Sequence, residues 1–107
     1  MGSKSRRPKN VLSQRAVIFN KEGDVLLVRR SKSDDDFPGM WEFPGGNLEP
    51  GSLLRFDLIR ELGEEIGRKA KIKKVVHIHD RLLRKKHPII LFYLARLEDS
   101  SDGIRLS

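Results

Sequence analysis

Asp57, Glu61, Glu64 and Glu65 stand three and four residues apart. On a helix of about 3.6 residues per turn, their carboxylates share one face. Like charges at those spacings repel, and a helix selected only for its own stability would alternate the signs. A divalent cation removes the conflict. Magnesium suits such a place, because it is a hard ion that takes oxygen ligands and keeps waters while binding phosphate groups. The competing reading of the same pattern is a solvated acidic face on a surface helix.

A glycine loop, Gly45-Gly46-Asn47-Leu48-Glu49-Pro50-Gly51-Ser52, runs toward these acids, and the helix carries Arg60-Glu61-Leu62-Gly63-Glu64-Glu65-Ile66-Gly67. The order and spacing resemble the signature of the Nudix (MutT-like) hydrolases, G-x5-E-x7-R-E-U-x-E-E-x-G-U with U aliphatic. Counted from Gly46, the chain reaches Ser52, then seven residues, then Arg60. The Trp41-to-Gly46 segment is similar to the Trp-x-x-Pro-Gly-Gly approach common in that family. Two positions depart: Ser52 stands where the signature has its first glutamate, and Arg68 takes the final aliphatic place. That first glutamate is expected to support the site rather than form its metal core, and Asp57, one turn before Glu61, is placed to compensate in part.

The resemblance implies hydrolysis of a diphosphate bond in a nucleoside triphosphate or a nucleoside diphosphate joined to another moiety, with Mg2+ or Mn2+. Glu61, Glu64 and Glu65 would hold the metal, with the Gly46 carbonyl as a further ligand. Arg60 would pair with Glu64 or brace a neighbouring carboxylate. Arg30, Gly45 and Trp41 would meet the substrate: Arg30 through phosphate charge, Gly45 because a residue without Cβ allows close approach, and Trp41 as core or pocket wall. Glu65 and Glu98 are candidates for the general base. The alternative class is a Nudix-like module that binds nucleotide or RNA with weak or no hydrolysis.

A chain of 107 residues, 37% apolar and 35% charged, is expected to form one domain with a modest core. It has no cysteine, which excludes disulfides and thiolate metal sites and fits a reducing cytoplasm. No run approaches the roughly 18 apolar residues of a membrane span. The net charge of +7 favours polyanionic partners. Residues 1–10 read as a basic flexible tail, with Lys4, Arg6, Arg7 and Lys9 solubilising rather than gripping RNA, since no aromatic accompanies them.

The elements that must position the acids follow from periodicity. Val11 to Phe19 and Val25 to Val28, separated by the turn Asn20 to Asp24, read as a hairpin. Alternation along Leu26, Val28 and Arg30 favours Arg30 over Arg29. Asp34-Asp35-Asp36 is loop composition, and Trp41 and Phe43 alternate as in a short strand. Ser52 is placed to cap the helix, Leu54, Leu58, Leu62 and Ile66 make its apolar stripe, and Gly67 to end it. A strand over Ile72 to Asp80 carries His77 and His79 on a half-buried face, and a basic turn, Arg81 to His87, follows. Pro88 to Arg96 then forms a strand apolar enough to be buried on both faces. The expected fold is α/β, a Nudix-type α/β/α sandwich with a mixed sheet, whose domain spans residues 11–107. The resemblance implies a further strand and closing helix after a segment like Asp102 to Ser107, and this chain is expected to lack them, either as a truncated piece or because another chain supplies the second helix layer. Exposed apolar surface and self-association, such as a homodimer, are the expected consequences.

Overall fold

The computed structural model describes residues 7–33 and 37–98. Lys4 and Arg6, the Asp34-Asp35-Asp36 run and the segment Asp102 to Ser107 lie outside the described residues. The elements are β1 (Lys9–Ile18), β2 (Val28–Arg29), β3 (Trp41–Glu42), β4 (Gly45–Asn47), α1 (Leu54–Ile66), β5 (Ala70–Asp80) and β6 (Lys86–Leu97). Four strands form a mixed sheet in the order β4-β1-β6-β5. β1 and β6 are parallel, while β4 against β1 and β5 against β6 are antiparallel. β2 and β3 make a separate two-stranded pair.

α1 packs on one face of this sheet. Its Leu58, Leu62 and Ile66 are wholly buried against Ala16 and Ile18 of β1, Tyr93, Ala95 and Leu97 of β6, and Ala70 and Ile72 of β5. Burial of each such side chain contributes about 1.5–3 kcal/mol, so the helix is fixed rigidly along this seam. The fourth residue of the expected stripe, Leu54, is instead 40% exposed. The sheet takes up its backbone rather than its side chain: Gln14 Nε2 donates to the Leu54 carbonyl at 2.7 Å.

The helix begins differently from the sequence reading. Leu53, in extended backbone, is the N-cap and makes no side-chain capping bond. Ser52 is spent one residue earlier, where its amide donates to the Glu49 carbonyl at 3.1 Å in the turn of the loop. The other end agrees with expectation: Gly67 is left-handed at φ 68° and donates to the Gly63 carbonyl at 3.0 Å. A Cβ added at Gly63 would meet nothing within 4 Å. Gly63→Ala is therefore expected to stabilise the fold by about 0.5–1 kcal/mol through helix propensity alone, read as a higher urea midpoint at unchanged slope.

The expected hairpin is only partial. After the turn, in which Asn20 Oδ1 accepts from the amides of Glu22 and Asp24, a single bridge joins Phe19 to Val25. The chain then leaves β1, because the partner available to β2 is the short β3. β1 starts at Lys9, opposite Lys86, two residues before the expected boundary. β6 is half-buried over Pro88 to Phe92 rather than buried on both faces, since α1 covers one side of the sheet. At the sheet edge, β5 beyond Lys73 is exposed throughout, including Val75, Val76, Ile78 and the two histidines expected to be half-buried. His77 lies 5.8 Å from the Phe92 ring, and His87 pairs with Asp80 at 2.7 Å. Among the described residues no helix is long and apolar enough to cross a membrane.

Candidate active site

The glycine loop is held by β1. Gly45 and Gly46 of β4 pair with Arg15 and Gln14, which sets the loop beside the middle turns of α1. Gly45 sits at φ 140°, and a Cβ there would overlap the Gln14 carbonyl oxygen, so the contact between strand backbones requires glycine. A Cβ on Gly46 would overlap Glu61 Oε2. The two glycines thus make room for two glutamates: the Glu61 carboxylate rests on Gly46, and Glu65 Oε1 accepts from the Gly45 amide at 2.7 Å.

The acids do not share one uniform environment. Asp57 is buried, Glu61 and Glu65 are half-buried toward the loop, and Glu64 is exposed. Burial, and then the nearby charge of Asp57, push the Glu61 carboxyl up to about 7. Burial also raises Glu65, against the opposing pull of the Gly45 amide and the Arg15 charge. Asp57 moves the other way, held below the usual carboxylate range chiefly by its hydrogen bond from Arg60. Arg60 spans both ends of the group, with Nη2 on Asp57 Oδ1 and Nη1 on Glu64 Oε2, each at 2.8 Å. Both pairings foreseen for this arginine are present.

Among the described residues, no three Asp, Glu or His side chains are gathered into a ready metal cage. Glu64 faces outward on its arginine. The donors nonetheless fit a hard divalent cation, because they are carboxylate oxygens and Glu61 Oε1 is buried without a hydrogen-bond partner. A cation there would supply the missing interaction and offset the burial and carboxylate repulsion that raise Glu61.

Of the predicted substrate residues, Gly45 is in β4 against β1, whereas Arg30 and Trp41 lie at the β2–β3 end. Arg30, just beyond β2, donates to Glu42 at 3.3 Å. Trp41 is 60% exposed, which excludes it from the core, and the Arg29 guanidinium lies 5.8 Å from its ring centroid. Arg29 also donates to the Gly39 carbonyl at 2.9 Å, so the arginine set aside on alternation is the one engaged with Trp41. Glu98 follows β6 with its amide on the Lys69 carbonyl, and among the described residues no hydrogen bond or ion pair ties it to the glycine loop. Sequence reasoning missed Arg15, which donates to the Phe43 carbonyl at 3.0 Å and pairs with Glu42 at 3.5 Å. It also missed Gln14 and Glu42. Only the β1–β4 register, which local periodicity does not carry, brings Arg15 and Gln14 to the loop; Glu42 belongs to β3, whose partner is β2.

This fold and site define an α/β domain in which a glycine loop receives the glutamates of a single sheet-packed helix. The chain belongs to the Nudix family, whose NUDIX domain model matches residues 9–104. It is similar to the CTP pyrophosphohydrolase of Escherichia coli K12, 41% identical over 66 residues that cover 62% of this chain and 48% of that protein. It is also similar to diphosphoinositol polyphosphate phosphohydrolase 3-alpha of Mus musculus, 32% identical over 89 residues, 80% of this chain and 52% of that one. Among solved structures, a MutT protein from Methanosarcina mazei Go1 superposes with a TM-score of 0.82 at 26% identity, covering 94% of this chain and 72% of that one. The chain spans about half the length of the curated relatives it matches.

Proposed function

We propose that the chain hydrolyses a diphosphate bond of a nucleotide with the help of Mg2+ or Mn2+. The observation that carries this reading is the seating of Glu61 and Glu65 on the adjacent glycines 46 and 45, with one buried carboxylate oxygen left unpartnered. Glu61, Glu64 and Glu65 would hold the cation, whose chemistry is to neutralise diphosphate charge and lower the pKa of a bound water. The Gly46 carbonyl is a further candidate ligand beside them.

The remaining steps belong to the protein's own side chains. The Gly45 amide fixes the orientation of Glu65, and desolvation raises the affinity of that carboxylate for a proton, which suits it to accept one from an attacking water. Arg60 restrains Glu64. Arg30, shared with Glu42, is the cation for the substrate's phosphates. The exposed Trp41 ring offers a flat face to a nucleobase, as aromatic side chains do in nucleotide sites. A relative named for CTP favours a nucleoside triphosphate as substrate. The charge of +7 extends the reading to RNA ends, and the exposed Val75, Val76 and Ile78 on an edge strand favour association of copies.

The test mixes the protein with Mg2+ and a panel of deoxynucleoside triphosphates, ADP-ribose, dinucleoside polyphosphates and capped RNA, and measures released phosphate or pyrophosphate. Turnover that disappears in Glu64→Gln is the expected result. Nucleotide binding with no turnover of any substrate would make the chain a binding module instead.

A further inference from the structure

Asp57 is the one acid of α1 that is fully buried. It is 2% exposed, among Leu58, Leu62 and Ile66 on the buried side of the helix. Aspartate is almost never buried unless paired, and it is a poorer helix former than alanine, so its place needs a structural reason. Both carboxylate oxygens are engaged. Oδ1 accepts from Arg60, and Oδ2 accepts from the Glu49 amide at 3.3 Å. The second bond ties the end of the glycine loop to the helix, and the first orients the guanidinium whose other nitrogen holds Glu64. A chain of contacts therefore runs from Glu49 through Asp57 and Arg60 to Glu64.

The buried end of that chain governs the exposed end. A solvent-exposed arginine–glutamate pair four residues apart on a helix contributes little against the side-chain entropy it must overcome, too little to hold two long side chains in one geometry. Arg60 and Glu64 are such a pair, with side chains 42% and 64% exposed. Asp57, whose side chain is 0% exposed, gives the guanidinium a fixed point. Ser52 offers none: it is exposed, its amide is used in the turn to Glu49, and its hydroxyl makes no hydrogen bond among the described residues.

We infer that Asp57 is a positioning residue that supplies, from inside the helix, the supporting carboxylate lacking at position 52, holding the glycine loop to α1 and Arg60 to Glu64. Because its side chain is wholly buried and its oxygens face protein donors, it acts through Arg60 rather than as a metal ligand. This rests on the hydrolase reading for its catalytic consequence, but the bracing itself is measurable without turnover.

The experiment compares the wild-type chain, Asp57→Asn and the double variant Asp57→Asn with Ser52→Glu. In Asp57→Asn, kcat is expected to fall roughly 10- to 100-fold, the range seen when a residue supporting metal ligands is lost, with KM changed much less. Adding Ser52→Glu should recover most of kcat. Hydrogen exchange at the Glu49 amide should quicken in Asp57→Asn and slow again in the double variant. Unchanged kcat in Asp57→Asn overturns the inference, as does a folded double variant that stays as slow as Asp57→Asn. If Asp57→Asn does not fold, recovery of both fold and turnover in the double variant supports it, and failure of either overturns it. If the wild type hydrolyses no diphosphate, the hydrolase reading falls separately. Exchange at Glu49 then decides the bracing alone, with unchanged protection in Asp57→Asn counting against it.

Discussion

In Glu61→Gln, Mg2+-dependent turnover is expected to collapse while the metal-free protein becomes more resistant to heat. Glutamine keeps the shape that fits over Gly46, but it removes a charge that the site penalises. With the Glu61 carboxyl raised to about 7 by burial and by Asp57, its charged form is less stable in the folded than in the unfolded chain. The sign follows from linkage. Near pH 4.5 and below, folded Glu61 is protonated, and wild type and variant should melt together. As pH rises toward 7 the unfolded state gives up its proton first, so wild type loses stability that the non-titrating variant keeps. Above 7 the gap stays constant. Millimolar Mg2+ should reverse the order, because a ligand that binds only the folded state stabilises it by mass action. Melting curves from pH 4 to 8, with and without Mg2+, check this. A wild type more stable than Glu61→Gln at pH 8 without metal would sink it. Loss of turnover should exceed the roughly 100-fold that residues behind a metal ligand cost.

Alanine at position 45 is expected to damage the whole fold. Gly45 has φ 140°, a region that costs an ordinary residue about 1–3 kcal/mol. The added Cβ would also overlap the Gln14 carbonyl oxygen and lie 3.0 Å from Arg15 Cα. These are backbone atoms of β1, the strand that holds the loop, and they cannot swing aside. Opening the β1–β4 pairing would release the Gly45 amide from Glu65 as well. A loss of about 3 kcal/mol or more is a large part of the 5–15 kcal/mol that holds a typical domain together, and should appear as a drop in the urea midpoint beyond that of any other glycine-to-alanine change in the loop. Gly46→Ala is the contrast: the obstruction is the end of the Glu61 side chain, which can rotate. It should keep most stability and lose activity. Equal melting of the two variants would refute the distinction.

The site was legible in the sequence where its logic is local. Arg60 and Glu64 are one helical turn apart, Gly67 ends the helix in a left-handed conformation, and the glycine loop immediately precedes the acids. The mixed sheet and its single described helix also matched the alternation of strand and helix patterns. What could not be read depends on pairing between distant segments. Arg15 and Gln14 reach the loop only through the β1–β4 register, and the apolar run Val25 to Val28 gave no sign that its partner would be two residues of β3. Charge pattern misled at Asp57. One residue before Leu58, it borders the apolar stripe, and the nearby Arg60 lets it turn inward. Ser52 misled by one position, because the loop's turn claimed its amide before the helix began.

The parallel pairing of β1 with β6 runs in continuous register from Lys9 opposite Lys86 to Ile18 opposite Ala95. It joins nearly the first described residues to the last, so the sheet's two central strands are also the most distant in synthesis among the described strands. A nascent chain emerging from the ribosome exposes the glycine loop and α1 well before β6 exists, and the apolar side of the helix then has only part of its sheet to cover it. Such long-range closure is slow and leaves intermediates open to aggregation. Assembly of the α1 acids against the glycine loop is thereby tied to completion of translation through Leu97, and chaperone demand should fall on the interval before β6 is released.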